Sequence, residues 1–188
     1  MSRPGTTAVA LAATVLAGCG ADRISPPDPS RPFSTGGTQA REFPEVGVTF
    51  TGPADWQFEP GRPPLVASAS SGSATVAIWR YPRTEPLPRS AGALDDAGRS
   101  LQEAAKQRDP SFSKQIARRV KVDGARAVEL VGTEKVNGRT RRVRSTHVYA
   151  KGAELVIDTY AAPRDFDVVD QSIFQPLIRS TKIDPPRP

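Results

Sequence analysis

Polar and apolar residues alternate along much of this chain, and two stretches break the alternation with helical spacing. Val46-Gly47-Val48-Thr49-Phe50 reads as a strand, and Gly52-Pro53-Ala54-Asp55-Trp56 as a turn that delivers an aromatic residue. Strands are predicted at 65–70 and 74–81, joined by the Ser71-Gly72-Ser73 turn, and Pro82, Pro86 and Pro88 stop the second. From Ser90 to Asp109 the apolar positions Leu94, Ala97, Leu101, Ala104 and Ala105 follow i, i+3, i+4, i+7 spacing, so one helix is expected, with Ser90 as N-cap and Pro110 closing it. Between Lys114 and Ala162, runs rich in Val, Thr, Ile and Tyr are punctuated by Asp123-Gly124, Asn137-Gly138 and Lys151-Gly152, which predicts a four-strand antiparallel meander. A three-residue loop ending at Ala125 pairs Val122 with Arg126, Val120 with Val128 and Arg118 with Leu130. It groups apolar residues on one face, so a bulge is expected there. Asp165 or Asp167 is expected to cap a last helix that carries Val169, Ile173, Phe174, Leu177 and Ile178 on one face, and a short strand over 180–183 ends the pattern. The fold class is α+β: an antiparallel sheet covered by helices.

The first residues follow a different rule. Arg3 precedes an uncharged run from Pro4 to Ala17, the layout of a secretory signal peptide, and the run is too short to span a bilayer, which takes roughly 20 residues. It ends in Leu16-Ala17-Gly18-Cys19, which resembles the lipobox of bacterial lipoproteins. That resemblance implies cleavage after residue 18, a diacylglycerol lipid on Cys19, and display on the extracytoplasmic face of the cell membrane. Residues 19–42 are poor in apolar side chains and rich in Pro, Ser and Gly, so they read as a lipidated cysteine followed by a disordered tether. One globular domain is expected over 43–184, with 185–188 a frayed Pro-rich tail.

The order of strand, Trp-bearing turn, two strands, helix, Gly-bounded meander and amphipathic helix running into Ile178-Arg179-Ser180-Thr181-Lys182-Ile183 resembles the Mog1/PsbP-like fold. Lipobox, tether and domain together are similar to actinobacterial lipoproteins of the LpqN type. The resemblance implies an α/β/α sandwich and an accessory or binding factor, with no catalytic residues to carry over.

Composition narrows the chemistry. Cys19 is the only cysteine, so no intrachain disulfide can form, and His147 is the only histidine, so a Cys/His zinc site cannot be assembled; no metal and no cofactor beyond the lipid are expected. Asp165, Asp167 and Asp170 are spaced like calcium ligands but suit a helix start. A Ser/His/Asp set exists in Ser145, His147 and Asp158, and a two-residue turn at Lys151-Gly152 sets Ser145 opposite Asp158. Residues at i and i+2 on a strand lie roughly 7 Å apart, however, which is expected to keep Ser145 out of hydrogen-bond reach of His147. No nucleophile elbow accompanies them, and no enzyme is predicted.

The formal charge is +6, or +5 once Arg3 leaves with the leader. Between Ile116 and Lys151 ten bases face three acids, so the domain should be electrically lopsided. Arg119, Lys121, Arg142 and Arg144 are expected on one face, with Glu129 opposite Arg119; together with Arg139 and Arg141 they form the candidate patch for an anionic partner. An envelope protein, an anionic lipid or an anionic polymer suits such a patch, whereas nucleic acid does not suit an exported protein. Trp56, Trp79, Tyr81, Tyr149 and Tyr160 fill the core or line a ligand groove, with Trp56 expected in the core. The functional expectation is a lipid-anchored, non-catalytic binding module of the cell envelope. The alternative is a carrier of an amphiphilic envelope ligand in a cleft between sheet and helix.

Overall fold

A computed structural model describes residues 32–187, so the leader and Cys19 lie outside the described residues. Ten strands and three helices follow in the order β1 (Thr38–Phe43), β2 (Val48–Pro53), β3 (Glu59–Pro60), β4 (Leu65–Ser71), β5 (Ala74–Pro82), α1 (Ala91–Arg108), β6 (Ser113–Val122), β7 (Ala125–Val136), β8 (Arg139–Ala150), β9 (Ala153–Ala161), α2 (Pro163–Val169), α3 (Gln175–Ser180) and β10 (Lys182–Ile183). β3 to β9 form a seven-stranded antiparallel sheet in the order β3-β4-β5-β9-β8-β7-β6, while β1, β2 and β10 form a small second sheet. The α1 helix covers part of one face of the large sheet, and α2, α3 and the small sheet cover the other. The α+β expectation holds.

Main-chain geometry at the turns sets the meander. Asp123 and Gly124, Asn137 and Gly138, and Lys151 and Gly152 all have positive φ, the requirement of a two-residue type I′ turn whose twist matches the flanking strands. The three-residue loop and bulge expected after Val122 are therefore corrected: Val122 pairs with Ala125, Val120 with Ala127 and Arg118 with Glu129. The apolar pattern misled here because β6 is an edge strand, exposed from Ser113 to Arg119, so burial does not fix its register. Its irregularity lies instead between Lys114 and Ile116. Edge pairing with another chain is discouraged by the charges on β6 and, at the opposite edge, by the two-residue, Pro-containing β3.

Both domain boundaries also move. β1 begins at Thr38 and pairs with β2 along its whole length, so the last residues assigned to the tether belong to the fold. Ser34 joins it too: its N–H donates to Ser71 Oγ at 2.9 Å, and its carbonyl accepts from Trp56 Nε1 at 3.0 Å. At the other end the expected frayed tail is held, with Asp184 N–H on the Gly47 carbonyl and Arg187 N–H on the Pro44 carbonyl. Gly47 has φ +61° and sits so close to the Asp184 carbonyl that a Cβ would lie 2.1 Å from its oxygen, so only glycine admits this contact. Buried Arg80 donates to the Val46 carbonyl at 2.7 Å and the Asp184 carbonyl at 3.2 Å, tying both segments to β5.

Ser90 caps α1 as expected, accepting from Ala93 N–H. The second helical stretch is capped differently: it starts at Pro163 with no side-chain cap, and Asp165 turns away to accept from Ser73 Oγ at 2.6 Å. Between α2 and α3 the turn widens over 170–174, where Gln175 N–H reaches back to the Asp170 carbonyl. Pro176 lies just beyond and cannot donate, and a widened turn accommodates it without breaking the helical path. Val169, Ile173, Phe174, Leu177 and Ile178 are all buried against the sheet, as their spacing predicts. They pack with Phe43, Val48, Phe50 and Trp56 into the main core, where Phe58 also meets Phe50 edge to face. Trp56, 1 % exposed, is a core residue.

Candidate functional site

The α1 side of the sheet is only half covered. The helix rests on β6, β7 and the two ends of β8, through Leu94, Val128 and Tyr149 at one end and Ala105, Phe112, Leu130 and Val143 at the other. The neighbouring surface of β8, β9 and β5 stays open and floors a cleft of about 770 Å³. Leu101, Ala104, Ala105 and Phe112 make an apolar wall, Trp79, Tyr81 and Tyr160 an aromatic one, and the segment after β5, from Pro82 to Glu85, forms the rim. Clefts of this size with aromatic walls and a few convergent polar groups are the usual form of small-molecule sites.

The polar groups are concentrated on the floor. Strand alternation puts Val143, Ser145 and His147 of β8 on the same face as Glu154, Val156, Asp158 and Tyr160 of β9, and the turn at Lys151-Gly152 sets Ser145 opposite Asp158, as predicted. His147 Nδ1 meets Glu154 Oε1 at 2.6 Å, and Arg83 closes on the other Glu154 oxygen. Ser145 Oγ donates to Asp158 Oδ1, and Tyr160 donates to Asp158 Oδ2 at 3.3 Å. Burial alone would push Glu154 up, but the His147 hydrogen bond and the charges of His147 and Arg83 hold it below the usual carboxylate range. Desolvation pushes Asp158 up despite the Ser145 hydrogen bond, and burial also raises Tyr160. Tyr149, beside the cleft, is pushed up to about 12 by burial and by the Glu154 charge.

The spacing argument against a Ser145–His147 contact is corrected by this geometry. Ser145 Oγ lies 2.9 Å from His147 Nε2, because the imidazole reaches along the strand and spans the gap between the two backbone positions. The connections nevertheless differ from those of a triad. Asp158 bonds the serine and not the histidine, while Glu154 orients the imidazole. Ser145 Oγ therefore lies between Asp158 and the imidazole, and among the described residues no carboxylate stands behind the histidine in line with the serine except Glu154. β8 is also hydrogen-bonded to β7 on one side and to β9 on the other, which occupies the backbone donors that an oxyanion hole would need.

The predicted basic patch is not one surface. The corrected register flips β6, so Arg119 and Lys121 face α1 while Arg142 and Arg144 face α2. Glu129 stands opposite Arg118, not Arg119, and binds its Nε at 2.7 Å. Arg144 is buried, forked onto both Asp170 oxygens at 2.7 Å, and contacts Glu129 at 2.6 Å. Arg142 lies 4.4 Å from the centre of the Phe166 ring and bonds Asp167 at 2.7 Å. Arg119 is 3.5 Å from Asp95, whereas Arg139 and Arg141 point to the α1 side near the Asn137-Gly138 turn. Asp165, Asp167 and Asp170 thus have separate partners, and among the described residues no three His, Cys, Asp or Glu side chains gather as metal ligands.

No protein-family model and no curated protein sequence matches the chain. Solved structures do. Cyanobacterial PsbP (CyanoP) from Synechocystis superposes with a TM-score of 0.61 at 15 % identity, covering 90 % of this chain and 99 % of that one. LpqN of Mycobacterium tuberculosis, described as involved in cell envelope biogenesis, superposes with a TM-score of 0.57 at 17 % identity, covering 79 % of this chain and 91 % of that one. The fold is that of PsbP and LpqN. At these identities the likeness extends to architecture alone. Among the described residues no helix is long and apolar enough to cross a membrane.

Part of the site is not singled out by the sequence. Trp79, Tyr81 and Tyr160 were recognised as groove candidates and do line the cleft, whereas Glu154, Arg83 and the α1 wall were not placed there. Glu154 was within reach: with Ser145 opposite Asp158, the same register sets Tyr149 opposite Glu154, diagonal to His147 on one face. Arg83 carried no signal, because it follows the end of β5 in an irregular segment.

Proposed function

We propose that the chain is a lipid-anchored, non-catalytic binding module of the bacterial cell envelope, and that the cleft beside α1 carries an amphiphilic ligand. The observation that carries this reading is the half-covered sheet: a cleft of about 770 Å³ with an apolar wall on one side and a hydrogen-bonding floor on the other matches a molecule with both kinds of surface. Trp79 and Tyr81 offer flat faces, Glu154 and Asp158 accept hydrogen bonds, and Leu101, Ala104 and Phe112 offer a dry path. Two features support a non-catalytic role: Asp158 bonds the serine and not the histidine, and the ladders on both sides of β8 occupy its backbone donors. The envelope setting rests on the Leu16-Ala17-Gly18-Cys19 signal, and the involvement of LpqN in cell envelope biogenesis agrees with it.

The test is native mass spectrometry of the protein extracted from membranes in mild detergent. A bound amphiphile is expected on the wild type and should be lost from Ala104→Phe, which plugs the cleft from an exposed helix position. Wild-type protein that carries nothing beyond its own anchor, or a ligand retained undiminished by the plugged variant, contradicts the reading.

A further inference from the structure

We propose that a second, smaller pocket, at the β6–β7 and β8–β9 turn end of the sheet, binds a phosphate group through Arg89, Lys121, Arg126 and Lys151. This pocket has a volume of about 370 Å³, and its lining includes these four cations, the Tyr149 side chain and no carboxylate. It is separate from the amphiphile cleft and does not depend on that reading.

The charges are placed at a cost. Lys121 on β6 and Arg126 on β7 are direct cross-strand partners on the α1 face, and like charges in that relation repel. Arg126 is in turn the cross-strand partner of Tyr149 on β8, so ammonium, guanidinium and phenol stand in one row. Arg89 approaches from the segment before α1, and Lys151 from the β8–β9 turn. Among the described residues none of the four has an ion pair or a side-chain hydrogen bond, whereas the neighbouring Arg83, Arg118, Arg119, Arg142 and Arg144 all have carboxylate partners.

Most nearby acids are already engaged, and the two that reach the rim, Asp123 and Asp184, adjoin Lys151 alone of the four. Asp123 is taken by Lys182 and the Ile183 N–H, Asp95 by Arg119, and Glu154 by His147 and Arg83. Among the described residues Arg89, Lys121 and Arg126 have no carboxylate partner and Lys151 shares Asp123 with Lys182, so an external anion relieves the charge around the concave site. Two guanidinium forks and two ammonium groups match the several oxygens of a phosphate better than a single carboxylate.

The location indicates how the phosphate arrives. The chain enters the domain at the opposite end of the sheet, where Ser34 bonds Ser71 beside the β4–β5 turn. There Thr75 of β5 pairs with Tyr160 of β9, while at the pocket end Pro82 pairs with Ala153. The pocket therefore lies a full strand length from the point where a tether joins, which favours a phosphate ester in solution over a headgroup of the anchoring bilayer.

The experiment is calorimetric titration of the full mature chain, in nonionic detergent at low salt, with inorganic phosphate. Saturable binding at one site is expected with a Kd on the order of 1 mM. Lys121→Gln with Arg126→Gln should weaken it at least about tenfold, because two charge-assisted bonds are lost. Lys106→Gln with Lys114→Gln removes the same net charge elsewhere and should change it less than about twofold. Ala104→Phe should leave it intact, so failure of the cleft reading and failure of this one are distinguishable. Thermal melts check that each variant is folded. Displacement of phosphate by glycerol phosphate supports a soluble ester as the source. Displacement only by phosphatidylglycerol added to the micelles supports a lipid headgroup in the same pocket. Absence of saturable binding, equal loss in the control pair, or phosphatidylglycerol affinity that survives Lys121→Gln with Arg126→Gln overturns the proposal.

Discussion

Replacing Arg144 by Met isolates the interaction on which the α2 side of the sheet depends most. Arg144, Glu129 and Asp170 are each about 5 % exposed, and the arginine binds both acids at once. Removing it leaves Asp170 with only the Gln175 amide at 2.7 Å and Glu129 with the largely exposed Arg118. Breaking a buried pair by deleting one partner costs about 3–5 kcal/mol, because the remaining charge stays desolvated. For a domain of this size that is a fall in Tm of about 6–20 °C. Arg144→Met with Asp170→Leu removes the orphaned charge as well, and exchange of a buried pair for apolar groups is often close to neutral. The double variant should therefore be more stable than Arg144→Met alone. Urea melts followed by circular dichroism measure the full cycle. A loss below about 1 kcal/mol for Arg144→Met, or a double variant weaker than either single one, would refute the reasoning and return Arg144 to the solvent-exposed role that the sequence pattern suggested.

Further outcomes follow from the same geometry. Trp56→Ala should cost about 3–5 kcal/mol in denaturant melts, since the ring is enclosed; a loss below about 1 kcal/mol would contradict its place in the core. Glu154 is held below the ordinary carboxylate value in the folded state, so the stability it adds is present above that range and is lost as pH falls through the depressed value. Glu154→Gln should accordingly flatten the acid limb of the stability curve, and an unchanged limb would contradict this. Asp158 is shifted the other way: the folded form favours its proton, and stability declines as pH rises through the raised value. Asp158→Asn should raise the urea midpoint at neutral pH and lose that advantage in acid; a lower midpoint at neutral pH would contradict this. Under the proposed lipid anchor, Cys19→Ala should release the protein from the membrane, since two acyl chains at about 0.8 kcal/mol per buried methylene would supply the attachment. Unaltered mature protein free in the medium, without lipid on its N-terminal peptide, would contradict it.

The parts of this fold legible in the sequence are those where one local rule dominates. Ser90, the apolar stripe of α1 and the Xaa-Gly pairs mark helix and turns with no knowledge of the rest of the chain, and Trp56 follows from its turn. The β6 register was not legible, because an exposed edge strand carries no burial pattern and the deciding fact is the positive φ at Asp123 and Gly124. That single step moved Arg119 and Lys121 away from Arg142 and Arg144 and dissolved the expected patch. β1 was missed since Thr38 to Glu42 looks polar, and its pairing with β2 is long-range in origin. In the cleft, Ser145, His147 and Asp158 were visible as a set, but the imidazole reach that joins the first two is a side-chain property beyond backbone spacing.

The central claim is that the open half of the α1 face takes an amphiphile, and Trp79 reports on it directly from the cleft wall. In a Trp56→Phe background, which leaves Trp79 as the only tryptophan, the measurement is fluorescence quenching by a nitroxide-labelled fatty acid added below its micelle concentration. The account predicts saturable quenching at one equivalent, lost on Ala104→Phe and retained on Lys121→Gln with Arg126→Gln. Quenching that rises linearly without saturation, or that is the same with the cleft plugged, would contradict it.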